Sequence, residues 1–191
     1  MSKPTRFPAQ HHQIAVEAEK RGFDQQAHVP AVSFLRALVA SRTNINILEL
    51  GSGLGLSTCW FLDGMDAHST LTSVENNADF VQFIKQTLGS DKRLNLVHQD
   101  GEETIKTLQP ASFDLIFADT WPGKYSLLDE TLSLLKNRGV YLIDDMLPQP
   151  NWPEGHAEKA ASLAQSLTTR KDLMISRMDF STGLFYCVKQ E

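Results

Sequence analysis

From Ile45 onward the sequence alternates short aliphatic runs with helix-periodic segments, and this alternation restricts the fold more than any other feature. Residues 45–50 are brief and aliphatic and end in glycines, as expected of a strand buried on both faces. Residues 56–62 then read as a helix that Gly64 can cap. The unit recurs, with strands expected at 70–74, 94–98, 113–118 and 140–143 and helices at 78–88, 102–108 and 125–135. Strands separated by helices through short connections give a mostly parallel sheet with helices on both faces, an α/β fold. Residues 154–169 add one more helix, and 173–178 with 184–188, joined around 181–183, read as a closing antiparallel strand pair.

Ahead of this alternation the first ten residues, with Pro4 and Pro8, carry little pattern and read as a loose arm. A polar helix over about 10–21 follows, which Gly22 can end. After Pro30, Val32, Phe34, Leu35, Leu38 and Val39 recur at helical spacing and predict an amphipathic helix closing near Arg42. With 191 residues, 41% of them hydrophobic, the chain can close one sizeable core, so one domain is the default reading. A formal net charge of -5 argues against a dedicated nucleic-acid binder, which carries a basic face. Cys59 and Cys187 both lie inside apolar runs, which speaks against a disulfide framework or a cysteine zinc site. Residues 1–13 lack the apolar core of a signal peptide, and no run approaches the roughly 18 apolar residues of a membrane span. The expectation is a cytoplasmic protein with neither membrane nor nucleic acid as partner.

The strongest local signal is Glu49-Leu-Gly51-Ser-Gly53-Leu-Gly55, where the first strand of the alternation gives way to its helix. Glycines there let the backbone bend sharply and let a ligand approach without a Cβ in the way, while the helix N-terminus offers free N–H groups. Glu49 precedes the first glycine by two; a carboxylate there repels a pyrophosphate and attracts an ammonium. Counted from Gly51, the third glycine of the dinucleotide fingerprint would fall on Leu56, so a nicotinamide dehydrogenase is disfavoured. Glu75 ends the second strand, where a carboxylate can accept hydrogen bonds from two ribose hydroxyls, and Asp100, beyond the third, can reach an adenine amino group.

This acidic-x-Gly-x-Gly-x-Gly pattern, with Glu75 and Asp100 behind it, resembles the class I S-adenosylmethionine-dependent methyltransferases. The resemblance runs from about Ile45 to the C-terminus and implies a Rossmann-like, seven-stranded, mostly parallel sheet whose last strand is antiparallel. It also implies that S-adenosyl-L-methionine is held by Glu49, Gly51, Gly53, Ser57, Glu75 and Asp100, with Asp119 beside the methyl donor. Residues 1–191 are then one domain, 43–191 the cofactor-binding core and 1–42 a helical cap that supplies cover for the site or a homodimer contact.

Asp119 ends the fourth strand and Asp144 and Asp145 end the fifth. Adjacent strands lie about 4.8 Å apart, so these carboxylates can converge, and they repel unless protons or a cation compensate. Hard oxygen ligands suit Mg²⁺, with Mn²⁺ or Ca²⁺ as alternatives. The arrangement resembles the metal-dependent O-methyltransferases of the catechol and caffeoyl-CoA type, where an Asp after strand four and an Asp-Asn pair after strand five hold a divalent ion. Asp119 and Asp144 match, and Asp145 stands where the family has Asn. In that family a lysine three residues after the first ligand helps deprotonate the acceptor hydroxyl; here that position is Pro122. Lys124 can take over, its other reading being a solvated cation ahead of a helix. His156 is a second candidate base, or else an exposed helix-start residue. Trp121 and Trp152, in loops rich in proline, suit walls around a flat substrate.

The leading expectation is therefore a divalent-metal-dependent O-methyltransferase for a small, catechol-like substrate. Two alternatives stand beside it. One is a metal-independent N-methyltransferase whose carboxylates bind an amine. The other is a noncatalytic cofactor-binding protein, against which the intact glycine loop and acidic cluster argue.

Overall fold

Ile47, Leu48, Glu49 and Leu50 are all fully buried, so the strand they form, β1 (Asn46–Leu50), has to lie inside a sheet covered on both faces. A computed structural model, describing residues 6–191, places it there. Two helices, α1 (His11–Arg21) and α2 (Val29–Ala40), precede it. After it come α3 (Leu56–Gly64), β2 (Thr70–Glu75), α4 (Ala78–Leu88), β3 (Leu94–His98), α5 (Gly101–Thr107), β4 (Phe113–Ala118) and α6 (Leu128–Ser133). The chain closes with β5 (Leu135–Ile143), α7 (His156–Thr168), β6 (Leu173–Met178) and β7 (Leu184–Lys189). The seven strands make one sheet in the order β3-β2-β1-β4-β5-β7-β6. β1 pairs in parallel with β2 and β4, and β7 runs antiparallel to both β5 and β6. The seven-stranded sheet with its reversed last strand agrees with the sequence expectation.

Side-chain alternation along the strands divides the interior in two. Ile47, Leu115, Phe117 and Leu142 face α2, α3 and α4, meeting Leu35, Trp60, Phe61 and Ile84. Leu48, Ile116, Tyr141 and Ile143 face the other way, onto Ile105 of α5, Leu132 of α6 and Leu163 and Leu167 of α7. α3 is buried along 56–62 because α2 packs on its outer side. It therefore has no polar face, as a helix enclosed all round requires. An added Cβ at Gly64 would stand 2.5 Å from the Arg36 carbonyl oxygen of α2, so that glycine sets how closely the two helices approach.

Several boundaries differ from those read in the sequence. Gly64 is the last residue of α3 and not its cap, which is Met65. The helix expected over 125–135 shrinks to α6, because the N–H groups of Lys124, Tyr125 and Ser126 all turn back onto the Trp121 carbonyl and close a loop first. Leu135 already belongs to β5, which starts five residues before the expected strand and shifts register against β4 between Phe113 and Leu115. α7 begins at His156, after Gly155 in a left-handed conformation (φ 79°). The part of the expected loose arm over residues 1–5 lies outside the described residues. Arg6, at its end, is tied by two hydrogen bonds of 3.0 and 2.8 Å to the Asp63 carboxylate. Cys59 and Cys187 are both free and buried. No helix among the described residues is long and apolar enough to cross a membrane.

Candidate functional site

The C-terminal ends of β1, β2, β4 and β5 bring the glycine loop and the clustered carboxylates to one edge of the sheet, where open α/β sheets bind ligands. The loop is pinned from below, since the N–H groups of Gly51 and Ser52 both donate to the Val74 carbonyl at 3.1 Å. Gly51 has a φ of +88°, and a Cβ on it would lie 2.8 Å from Thr120 Cβ and 3.0 Å from the Asp119 carbonyl oxygen. That close approach brings the ends of β1 and β4 together. At Gly53 (φ +54°) a Cβ would press on the Phe23 ring at 3.1 Å. Glu75 Oε2 accepts from Gly53 N–H and Oε1 from Asn77 N–H, each at 2.9 Å. Burial pushes the Glu75 carboxyl up from its ordinary value, and the N–H groups of Asn77, Gly53 and Asn76 pull it back.

Two cavities, of about 240 and 230 Å³, adjoin at this edge. The first is bounded by Gly51, Gly53, Ser57, Glu75 and Asp119, all expected from the sequence. Lys124, Tyr125, Asp144, Asp145, Trp152 and His156 line the second. Asp119 and Thr120 belong to both, and so do Gln25, Gln26 and Ala27 from the connection between α1 and α2. Gln26 Oε1 is buried there with no hydrogen-bond partner. Sequence reasoning missed this connection, because a polar stretch between two helices carries no periodicity or motif to single it out.

Two expected cofactor contacts are placed differently. Glu49 lies under the loop, fully buried and off both cavity walls, where Oε2 accepts from Thr58 Oγ1 at 2.6 Å and Ser73 Oγ at 2.5 Å. Burial holds its carboxyl above the ordinary range, with the Ser57, Ser73 and Thr58 hydroxyls opposing. Oε1 has no hydrogen-bond partner. Asp100 is exposed and outside the first cavity; its Oδ1 caps α5, accepting from the N–H groups of Glu102 at 2.8 Å and Glu103 at 3.4 Å. The helix terminus uses the carboxylate that the sequence reading assigned to adenine.

The acidic cluster also differs from its expectation. Asp144 Oδ1 accepts from the Asp145 N–H and from Thr182 Oγ1, and Asp145 Oδ2 accepts from Trp152 Nε1 at 2.7 Å. Lys124 is only 4% exposed, and its Nζ donates to the Asp144 carbonyl. It is no solvated loop cation. Burial raises Asp119 well above the usual carboxylate range; Asp144 adds to the rise and Lys124 opposes it. Burial likewise raises Asp144, with the Thr182 hydroxyl and the Asp145 N–H opposing. Burial lowers Lys124, while Asp119, Asp145 and Asp144 pull it back up. Among the described residues, no group of three or more His, Cys, Asp or Glu side chains is placed to hold a metal ion. With Lys124 lining the same cavity, and with Asp144 Oδ1 and Asp145 Oδ2 already hydrogen-bonded, the donor set expected for Mg²⁺ at Asp119, Asp144 and Asp145 is not arranged to hold a divalent cation.

His156 is buried at the start of α7, not exposed there. Its Nε2 lies 3.1 Å from Tyr125 Oη and its Nδ1 has no partner. Trp152 packs on its ring at 4.4 Å between centroids, and Trp121 at 5.9 Å. Burial lowers its pKa, with the nearby Lys124 acting in the same direction.

A family model described as a methyltransferase domain matches residues 48–146, more than half of the chain. The chain belongs to the methyltransferase domain family. A Mycobacterium tuberculosis protein named a probable O-methyltransferase is 28% identical over 123 residues, 61% of this chain and 55% of the relative. A Mycolicibacterium vanbaalenii relative with an O-methyltransferase name is 28% identical over 138 residues, covering 68% of this chain and 61% of its own. The chain thus spans a little over half the length of these curated relatives. Among solved structures, the O-methyltransferase TomG of Streptomyces achromogenes, in complex with SAM, superposes with a TM-score of 0.83 at 17% identity, over 97% of this chain and 92% of that one. The SAH-bound methyltransferase of Podospora anserina also reaches 0.83, at 18% identity, over 97% and 89% of the two chains. At such identities the likeness is one of fold, and it agrees with the class I architecture implied by the glycine loop of this methyltransferase domain.

Proposed function

We propose that the chain is a methyltransferase that carries the methyl group of S-adenosylmethionine to a hydroxyl of a small, flat, phenolic or catechol-like acceptor. The observation that carries this reading is the pair of adjoining cavities sharing Asp119 and Thr120, one under the glycine loop and Glu75, the other walled by aromatic rings. The cofactor fits the first cavity on its own terms. A Cβ at Gly51 or Gly53 would press on Thr120 and Asp119 or on Phe23, all of which line this cavity, and the Glu75 carboxylate has lone pairs left for ribose hydroxyls after accepting one N–H on each oxygen. When bound, S-adenosylmethionine supplies a sulfonium methyl group, whose bonding pair stays on sulfur as the methyl passes to the acceptor oxygen.

The chain's own residues bind, orient and deprotonate. Trp121, Trp152 and Tyr125 present ring faces and edges to a flat acceptor and displace water from around it. With Nε2 accepting from Tyr125 Oη, His156 takes the acceptor's proton through that hydroxyl: Tyr125 receives the proton from the acceptor as it passes its own to Nε2. Its lowered pKa keeps the ring neutral through neutral pH. No step is assigned to a divalent ion. The O-methyltransferase names of the relatives support oxygen over nitrogen as the acceptor atom.

The test is calorimetric titration with S-adenosylmethionine, followed by transfer of a labelled methyl group to panels of phenols, catechols and amines. Saturable cofactor binding and labelled ethers are expected. Absence of cofactor binding overturns the methyltransferase reading, and labelled amines with no labelled ethers overturn the choice of oxygen.

A further inference from the structure

Three carboxylates stand at the ends of the neighbouring strands β4 and β5, yet their oxygens do not converge on an empty point. Asp144 Oδ1 is held by Thr182 and by the backbone, Asp145 Oδ2 by the Trp152 indole, and all three acids line the second cavity together with Lys124. Lys124 reaches them because the loop at 121–126 closes on the Trp121 carbonyl and turns the residue inward. Gly123 inside that loop has a φ of +83° and so little room that a Cβ would meet Leu50 Cδ1 at 2.5 Å. The Tyr141 hydroxyl anchors the same turn from β5 by donating to the Gly123 carbonyl. Three elements thus fix one buried amine. An ammonium has three hydrogens to donate, and Nζ spends one on the Asp144 carbonyl. Two further hydrogens remain on Nζ, and Lys124 lines the second cavity together with Asp119, Asp144 and Asp145.

We propose that Lys124 provides the fixed cation of this site in place of a divalent ion, so that the enzyme needs no metal and accepts substrates with a single hydroxyl. The inference rests on the O-methyltransferase reading for its substrate half and on the chain's own geometry for its metal half. A divalent ion chelates two neighbouring oxygens at once, whereas a lysine ammonium is a compact point charge with rotatable donors and does not require a second hydroxyl. Lys124 is therefore a positioning residue for the acceptor oxygen, separate from the proton acceptor at His156. Lys124 follows Asp119 by five residues and is buried, not solvated on its loop.

The experiment titrates chelator-treated protein with Mn²⁺, following free Mn²⁺ by electron paramagnetic resonance, for the wild type, Lys124→Gln and Lys124→Arg. Wild type and K124R are expected to bind no Mn²⁺ up to about 1 mM, the weak end of oxygen-ligand sites. K124Q, with three carboxylates and no ammonium, is expected to gain saturable Mn²⁺ binding and a higher Tm in its presence. Saturable Mn²⁺ binding by the wild type or by K124R overturns the proposal, as does a folded K124Q that remains indifferent to Mn²⁺. If K124Q does not fold, the wild type and K124R still decide the metal half. In the transfer assay, turnover of single-hydroxyl phenols undiminished by excess chelator is expected, and turnover confined to vicinal diols overturns the substrate half. Because the Mn²⁺ titration needs no turnover, a failure of the methyltransferase reading is distinguishable from a failure of this one.

Discussion

Glu49 and His156 show how burial assigns work to single residues. Glu49 is an acid inside the protein, raised above its ordinary 4.5 by desolvation. The sign of the linkage follows: its contribution to stability is full below pH 4.5, where the carboxyl is protonated in both states, and is lost as pH rises through the higher folded value. Glu49→Gln is therefore expected to have a higher Tm than wild type at pH 8, and thermal melts across pH should bring the two curves together toward pH 4.5. A gap independent of pH would contradict this. His156 is displaced in the opposite direction, below 6.5, because burial disfavours its cation. Activity is expected to fall on an acid limb below pH 6.5 and hold above it. His156→Gln should remove that limb and lower kcat about 10²- to 10⁴-fold, the usual contribution of a general base; an unchanged pH–rate profile would assign the base elsewhere. Residues of both kinds were legible in the sequence as types. Their environments were not, since neither Ser73 nor Tyr125 is a sequence neighbour of the acid or the ring that it contacts.

At the scale of elements, local chemistry was enough where an element is held by its own residues. α4 was readable to the residue because Asn77 caps it, accepting from Asp79 and Phe80 N–H, and its apolar positions repeat at helical spacing. The end of α3 was harder, because the group that closes it comes from elsewhere. Arg93, just before β3, donates to the carbonyls of Leu62 and Met65 at 2.8 and 2.7 Å and pairs with Asp91 at 2.6 Å. A cation on the last carbonyls of a helix also meets the negative end of its dipole. Arg93→Ala is expected to cost about 1.5–3 kcal/mol, as for hydrogen bonds to charged groups. At about 2–4 °C per kcal/mol for a chain of this size, that is a Tm loss visible in a routine melt. The glycine loop makes a complementary prediction. Gly51→Ala requires a left-handed alanine, at a cost of about 1–3 kcal/mol. It also drives a methyl group against Thr120 Cβ and the Asp119 carbonyl, so cofactor affinity should fall together with Tm. A G51A protein with wild-type calorimetric affinity would show that the loop does not shape the cavity. α6 is the element that the sequence misjudged most. Its apolar residues fit a longer helix, but the inward turn at 121–126 takes up the first of them and β5 takes up the last.

For the whole molecule, both cores meet at the sheet, and the cavities lie at its edge between them, roofed by the connection between α1 and α2. A ligand that binds only this closed arrangement stabilises all of it. S-Adenosylmethionine at 100 times its dissociation constant should add about 2.7 kcal/mol, raising Tm by about 5–11 °C. Thermal melts at several cofactor concentrations check this, and a Tm indifferent to the cofactor would separate the cavity from the fold's stability. The sequence alone determined the α/β alternation, the reversed last strand, the glycine loop and the acids at the strand ends, because each is written in residues close together along the chain. The tertiary structure alone decided that Glu49 lies beneath the loop, that Asp100 serves a helix terminus, that Gln26 overlooks both cavities and that Lys124 turns into the acidic cluster. The physical reason is the same in each case. Burial, and the partner that compensates for it, arise between segments that meet only when the sheet has assembled, so no local pattern records them.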